Sequence, residues 1–137
     1  MTPDSLATLH AAAFTEQRPW SELVFETLLA SPHVFLVTDP KGFALGRVIV
    51  DEVELLTIAT APEARRQGIG RALMTVFEAE AKGRGAVLAH LEVAADNLPA
   101  MALYLGGGWV ESGRRAGYYP RSDRPAADAI LMQKTLT

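Results

Sequence analysis

One heptapeptide, Arg65-Arg66-Gln67-Gly68-Ile69-Gly70-Arg71, constrains this chain more than any other stretch. Before it stands Leu55-Leu56-Thr57-Ile58-Ala59-Thr60, an apolar and partly β-branched run that reads as a strand. After it, Ile69 to Lys82 reads as a helix. The heptapeptide therefore turns a strand into a helix. A helix N-terminus carries unpaired N–H groups and a partial positive charge, which suit an anion. Gly68 and Gly70 lack Cβ atoms, so the backbone there can approach an anion closely. Arg65 and Arg66 add positive charge at the mouth. Such chemistry fits a pyrophosphate.

Two phosphate-binding patterns are excluded. A dinucleotide fingerprint needs a third glycine where Leu73 stands, and an acidic residue about 20 positions on, where His90 and Leu91 lie. A Walker loop needs Gly-Lys-Ser/Thr, which the chain lacks. What remains is Arg/Gln-x-x-Gly-x-Gly/Ala, present as Arg65-x-x-Gly68-x-Gly70. It resembles the acyl-CoA pyrophosphate loop of the Gcn5-related N-acetyltransferase (GNAT) superfamily. An ordinary glycine-rich turn with solvated arginines is the rival reading, and the rest of the chain has to decide.

Size and composition narrow the field. The 137 residues read as one domain, 1–137. No run reaches the roughly 18–20 apolar residues of a membrane span, and Met1-Thr2-Pro3-Asp4 does not open a signal peptide. With no cysteine there is neither disulfide nor thiol nucleophile, which suits a cytoplasmic protein. A net charge of −3 argues against nucleic acid as a partner. His10, His33 and His90 are scattered, so no metal site is expected.

Local signals then order the chain. Asp4-Ser5 can cap a helix through Ala13, with Leu6, Leu9, Ala12 and Ala13 on one face. Ser21 can cap Glu22 to Leu29, which Ser31-Pro32 stops. Val34 to Val37, Phe43 to Val50 (interrupted at Gly46) and Val53 to Thr60 read as an antiparallel meander. The helix after the loop is expected to bury Ile69, Leu73, Val76 and Phe77, with Ala72. Ala86 to Ala94 is a strand with Leu91 and Val93 on one side and His90 and Glu92 on the other. A helix from Pro99 to Leu105 follows, then strands over Trp109 to Arg115 and Asp128 to Leu136. Gly117-Tyr118-Tyr119-Pro120 reads as a turn between those strands, and Arg121 to Ala127 as a polar loop. The fold class is α/β (α+β), a mixed sheet of about six strands with about four helices.

Further blocks extend the resemblance over most of the chain. They are Pro19-Trp20-Ser21, Ile58-Ala59, Arg65 to Ala72, Leu91-Glu92-Val93, Asn97, Ala102-Leu103-Tyr104, Gly108, and Gly113-Arg114-Arg115 through Tyr118-Tyr119-Pro120. Together they resemble the ribosomal-protein-alanine N-acetyltransferase branch of the superfamily. The resemblance implies the GNAT fold, here without the first strand of many members. It also implies acetyl-CoA as co-substrate and the N-terminal amine of a ribosomal protein as acceptor. Acetyl transfer is then direct: both substrates bind together, and the enzyme must take a proton from the ammonium, steady an oxyanion and protonate a thiolate.

By position, Glu92 matches the family's base and Tyr104 its acid. The backbone at Ile58, Ala59 and Thr60 matches the splayed strand that holds the pantetheine arm. The loop of Arg65, Arg66, Gln67, Gly68, Ile69, Gly70 and Arg71 matches the pyrophosphate site, and Asn97 and Tyr104 match contacts to the coenzyme. Trp20, Tyr118 and Tyr119 are candidates for the acceptor side, with packing as the rival role. Glu92 could instead be a structural carboxylate paired with Arg114 or Arg115, and His90 on the same face is a rival base. Arg114, Arg115 and Arg121 read as solvated or paired, with Asp123 and Asp128 close in sequence. Two other functions stay open: acetylation of a small amine, and acyl-CoA binding without catalysis.

Overall fold

A reciprocal cap starts the first helix. The Thr2 hydroxyl accepts the Ser5 N–H at 3.1 Å while the Ser5 hydroxyl accepts the Thr2 N–H at 2.9 Å. Helix α1 therefore spans Pro3–Ala13, capped at Thr2 rather than at Asp4-Ser5. Its buried side chains are Leu6 and His10, and Ala12 is exposed. Helix α2 (Glu22–Leu29) starts as expected at Ser21, whose hydroxyl accepts the Val24 N–H, and it buries Phe25. The structure, a computed structural model, describes residues 1–15 and 18–136.

Strands β1 (Val34–Asp39), β2 (Gly42–Ile49) and β3 (Glu52–Thr60) form the antiparallel meander. After a 3₁₀ turn at Pro62–Ala64 come α3 (Ile69–Gly83), β4 (Leu88–Ala94), α4 (Leu98–Gly106), β5 (Val110–Tyr119) and β6 (Ala127–Thr135). The mixed sheet has six strands in the order β1-β2-β3-β4-β6-β5, parallel only between β3 and β4. No strand precedes α1 among the described residues, so β1 lies at a sheet edge.

Helices cover both faces. Alternation along β2 sends Phe43 and Leu45 against Leu6 and Phe25 of α1 and α2, and Ala44 and Val48 toward Leu73 and Phe77 of α3. Helix α3 differs in detail from its periodic reading. It buries Leu73, Met74, Phe77 and Ala81, while Val76 is 53% exposed and Ala72 lies at the surface. A row at four-residue spacing meets the sheet, and Val76 falls on its flank. Gly46 does not break β2; a Cβ there would meet the Phe35 ring at 2.6 Å and the Phe77 ring at 2.7 Å.

Two irregularities shape the functional end. Opposite β2, Leu45 pairs with Thr57 and Gly46 with Leu55, so Leu56 is an extra residue in β3. Beyond that bulge Ile58 packs toward the α3 side and Ala59 toward α1 and α2. Pairing of β3 with β4 runs only from Glu52–Leu88 to Glu54–His90, and the two strands then separate. The second irregularity corrects the expected turn at Gly117 to Pro120. There β5 continues to Tyr119, and the turn-like composition shows as a register shift between Arg115 and Tyr119, with Gly117 at φ +58°.

Candidate active site

The gap between β3 and β4 opens into a cleft of about 700 Å³. Ile58, Ala59 and Thr60 line one wall, Ala94, Asn97 and Tyr104 the other, and Arg65, Arg66, Gly68, Ile69, Gly70 and Arg71 its end. β3 is released from β4 beyond Glu54, so its edge there has backbone groups available to a ligand. Arg66 at φ +66° and Gly68 at φ +78° bracket Gln67 in left-handed conformations, an arrangement of the kind that makes an anion-binding concavity. Gly68 is the N-cap of α3 and supplies no capping side chain, so the first N–H groups of the helix keep no side-chain acceptor. The cleft thus fits a pyrophosphate followed by a narrow extended arm.

Not every arginine of the loop points its charge at the cleft alone. The Arg65 guanidinium donates to the Ala13 carbonyl at 2.9 Å and ties the loop to the end of α1. Asn97 caps α4: its side-chain oxygen accepts the Ala100 N–H at 3.3 Å. Tyr104 is 5% exposed and packs near Trp109, with ring centroids 6.1 Å apart. Burial pushes its phenol up, so the hydroxyl keeps its proton at neutral pH.

Glu92 lies beside the cleft rather than in its wall. Leu91 and Val93 share the core of Tyr104 and Trp109, so alternation along β4 puts Glu92 on the opposite sheet face. Ala94, two residues on along that face, does line the cleft. Glu92 pairs with Arg115 at 3.2 Å, one of the two partners named from sequence. Arg115 also stands over Tyr118, 5.4 Å from its ring centroid, and Tyr118 meets Tyr119 edge-on at 5.1 Å. Burial, and then the charge of Glu92, raise the Tyr119 phenol above its usual value. Glu92, Arg115, Tyr118 and Tyr119 therefore form one group on the exposed face at β4 and β5.

Trp20 belongs elsewhere. Its backbone N–H donates to His10 Nδ1 at 3.2 Å, and its ring stacks on His10 at 5.1 Å, so packing is the role its contacts describe. Gln67 is exposed and outside the cleft wall, while Ala13, Phe14, Leu103, Asp96 and Arg121 line the cleft without having been named as site residues from sequence. Asp96 and Arg121 form a bidentate pair, both bonds at 2.8 Å. Hydrogen bonds from Arg121, joined by those from Arg124, hold the Asp96 carboxyl well below the usual carboxylate range, against the opposing effect of burial. The partner of Asp96 lies 25 residues away in sequence, so no local signal marks the pair. Among the described residues there is no cluster of His, Asp and Glu that could hold a metal, and no helix long and apolar enough to cross a membrane.

A mixed sheet parted beyond a bulge, with an uncapped glycine-led helix at the gap, makes the frame of an anion-binding cleft. The chain belongs to the acetyltransferase (GNAT) family, whose profile matches residues 4–106. Within it, the chain is 39% identical over 141 residues to the Escherichia coli (strain K12) [ribosomal protein bS18]-alanine N-acetyltransferase, covering 96% of this chain and 95% of that one. The crystal structure of the ribosomal-protein-S18-alanine N-acetyltransferase from Escherichia coli superposes with a TM-score of 0.87 at 32% identity, over 98% of this chain and 88% of that one. Arabidopsis thaliana NAA60, solved in complex with acetyl-CoA, shares the fold with a TM-score of 0.80 at 18% identity, over 97% of this chain and 92% of that one.

Proposed function

We propose that this chain transfers acetyl from acetyl-CoA to the N-terminal α-amine of a protein, a ribosomal protein beginning with alanine, by direct attack with both substrates bound. The observation that carries the reading is the parted β3–β4 cleft with Glu92 and Tyr104 on opposite faces of the sheet. The name and extent of the Escherichia coli relative support the acceptor. Acetyl-CoA supplies an acyl group activated as a thioester. The N–H groups at the start of α3, from Gly68 to Arg71, hold its pyrophosphate, and the released edge of β3 at Ile58 to Thr60 holds the arm. Asn97 has its side-chain oxygen engaged by α4 and offers its amide nitrogen to the same arm.

Glu92 takes the proton of the acceptor ammonium. A step of two residues on one strand face is about 7 Å, so Glu92 acts through a water beside Ala94. The neutral amine adds to the thioester carbonyl, the C–S bond breaks as the Tyr104 hydroxyl gives its proton to the departing sulfur, and the second proton shed by the new amide nitrogen restores the phenol. Peptide backbone fits the open face at Tyr118 and Tyr119 better than a small amine would, because that face is exposed along β5.

Proton arithmetic selects the amine. An α-amino group has a pKa of about 7.7–8.0 and lysine about 10.4. At pH 7 roughly a tenth of an α-amine is already neutral, against about 0.04% of lysine, a handicap of a few hundredfold. One carboxylate can serve the first; lysine needs a further device to lower its pKa. A peptide with a free N-terminal alanine is therefore expected to be acetylated on its α-amine near pH 7, and the same peptide blocked at its N-terminus but carrying lysine far more slowly. Mass spectrometry of both products checks this, and equal rates refute the N-terminal assignment.

A further inference from the structure

The loop from Pro120 to Ala126, between β5 and β6, contains two arginines that reach back to the turn after β4. Arg121 has a side chain only 3% exposed, and its fork closes on both oxygens of Asp96. Its remaining Nη1 donates to the Pro120 carbonyl at 2.9 Å, and its guanidinium lies 5.8 Å from the Tyr119 ring centroid. Arg124 adds a bond to Asp96 at 2.8 Å and one to Asp123 at 2.7 Å. A planar fork on a carboxylate fixes direction as well as distance, which a point charge would not. The same turn carries Asn97 and Ala94, and Tyr119 neighbours the Glu92 charge.

We propose that the Asp96–Arg121 pair is a positioning device that sets the acceptor groove, by holding Tyr119 and the β5–β6 loop at a fixed place beside Glu92. Neither member needs to touch the acceptor. Asp96 has both oxygens engaged by Arg121, so it is not a second base. The pair instead joins the coenzyme wall of the cleft, at the β4–α4 turn, to the wall that meets the peptide. A loosened loop leaves the coenzyme cradle on α3 in place and blurs the acceptor side, where small displacements are costly. This inference rests on the acceptor assignment made above.

The test uses Arg121→Gln, Asp96→Asn and the double variant. Hydrogen exchange of residues 118–126 is expected to quicken in each. The KM for the alanine peptide is expected to rise on the order of tenfold, with kcat falling far less. The double variant is expected to be no worse than the worse single, because the pair acts as a unit. Arg121→Lys, which keeps charge but loses the fork, should restore only part of the wild-type KM. Unchanged exchange, an additive double variant, or a loss confined to kcat each overturns the positioning role. Wild-type transfer to the peptide, measured first, separates the two claims. Its absence sinks the acetylation itself, whereas transfer with no KM change in the variants sinks only the role of the pair.

Discussion

Tyr104 and Glu92 occupy opposite faces of one sheet, and their surroundings differ as their proposed tasks do. The tyrosine is buried and holds its proton; the carboxylate keeps a side chain 30% exposed and an exposed arginine partner. Tyr104→Phe removes the hydroxyl and almost no volume. Turnover is expected to fall by about 10²-fold or more, with acetyl-CoA affinity little changed, as steady-state kinetics and calorimetry would show together. Glu92→Gln is expected to lose most activity near neutral pH and to recover as the pH rises, because free base then replaces the carboxylate. Wild-type rates in either variant remove that residue from the chemistry. Both candidates came from the resemblance, in which Leu91-Glu92-Val93 and Ala102-Leu103-Tyr104 match the family's blocks by position, and their proposed roles rest on these two variants. The acceptor of Arg65, the Ala13 carbonyl, was not legible, because it lies 52 residues away in sequence.

At the scale of elements, α1 and α2 are held together by an aromatic stack around a histidine. His10 faces Phe14 at 4.4 Å, Trp20 at 5.1 Å and Phe25 at 5.7 Å, and it accepts a backbone N–H, which only the neutral ring can do through Nδ1. Burial pulls its pKa from 6.5 down to about 4. The unfolded chain therefore binds the extra proton between those values. Stability is full above pH 6.5 and falls as the pH drops toward 4, by up to about 3 kcal/mol. Urea midpoints at pH 7 and pH 5 check this: wild type is expected to lose more between them than His10→Phe, whatever that variant costs at pH 7. On the other face, Gly46→Ala would drive a Cβ into the stacked Phe35 and Phe77, whose centroids are 5.6 Å apart. A loss of about 1–3 kcal/mol is expected, read as a lower denaturant midpoint with acetyl-CoA binding retained. The boundaries of these helices and strands followed from caps and periodicity to within a few residues. The faces of α1 and α3 did not, because which residue is buried depends on the angle at which a helix meets the sheet.

For the whole molecule, the proposed coenzyme site links ligand binding to the stability of the fold. A ligand at about 100 times its dissociation constant adds roughly 2.7 kcal/mol, enough to raise the melting temperature by several degrees in a chain of this size. Acetyl-CoA is expected to produce such a rise in wild type and none in Gly70→Asp. A side chain at Gly70 meets Leu103 of α4 at 3.2 Å, and on the proposed assignment a carboxylate there stands against the phosphates. An unchanged rise in the variant places the phosphates elsewhere. The amino-acid sequence by itself determined the glycine-rich link from strand to helix, the meander, the helix behind that link and the inward and outward sides of β4. Glycines, caps and the two periodicities act within a few residues of one another, and that is the range over which a sequence can be read directly. Only the tertiary structure decided that β3 and β4 part after Glu54, that His10 is a core residue, and that Arg121 answers Asp96 across 25 positions. The last of these depends on the strand order β4-β6-β5, which brings the β4–α4 turn near the β5–β6 loop. A charge chooses its partner by distance in space, and that distance exists only once the sheet has formed.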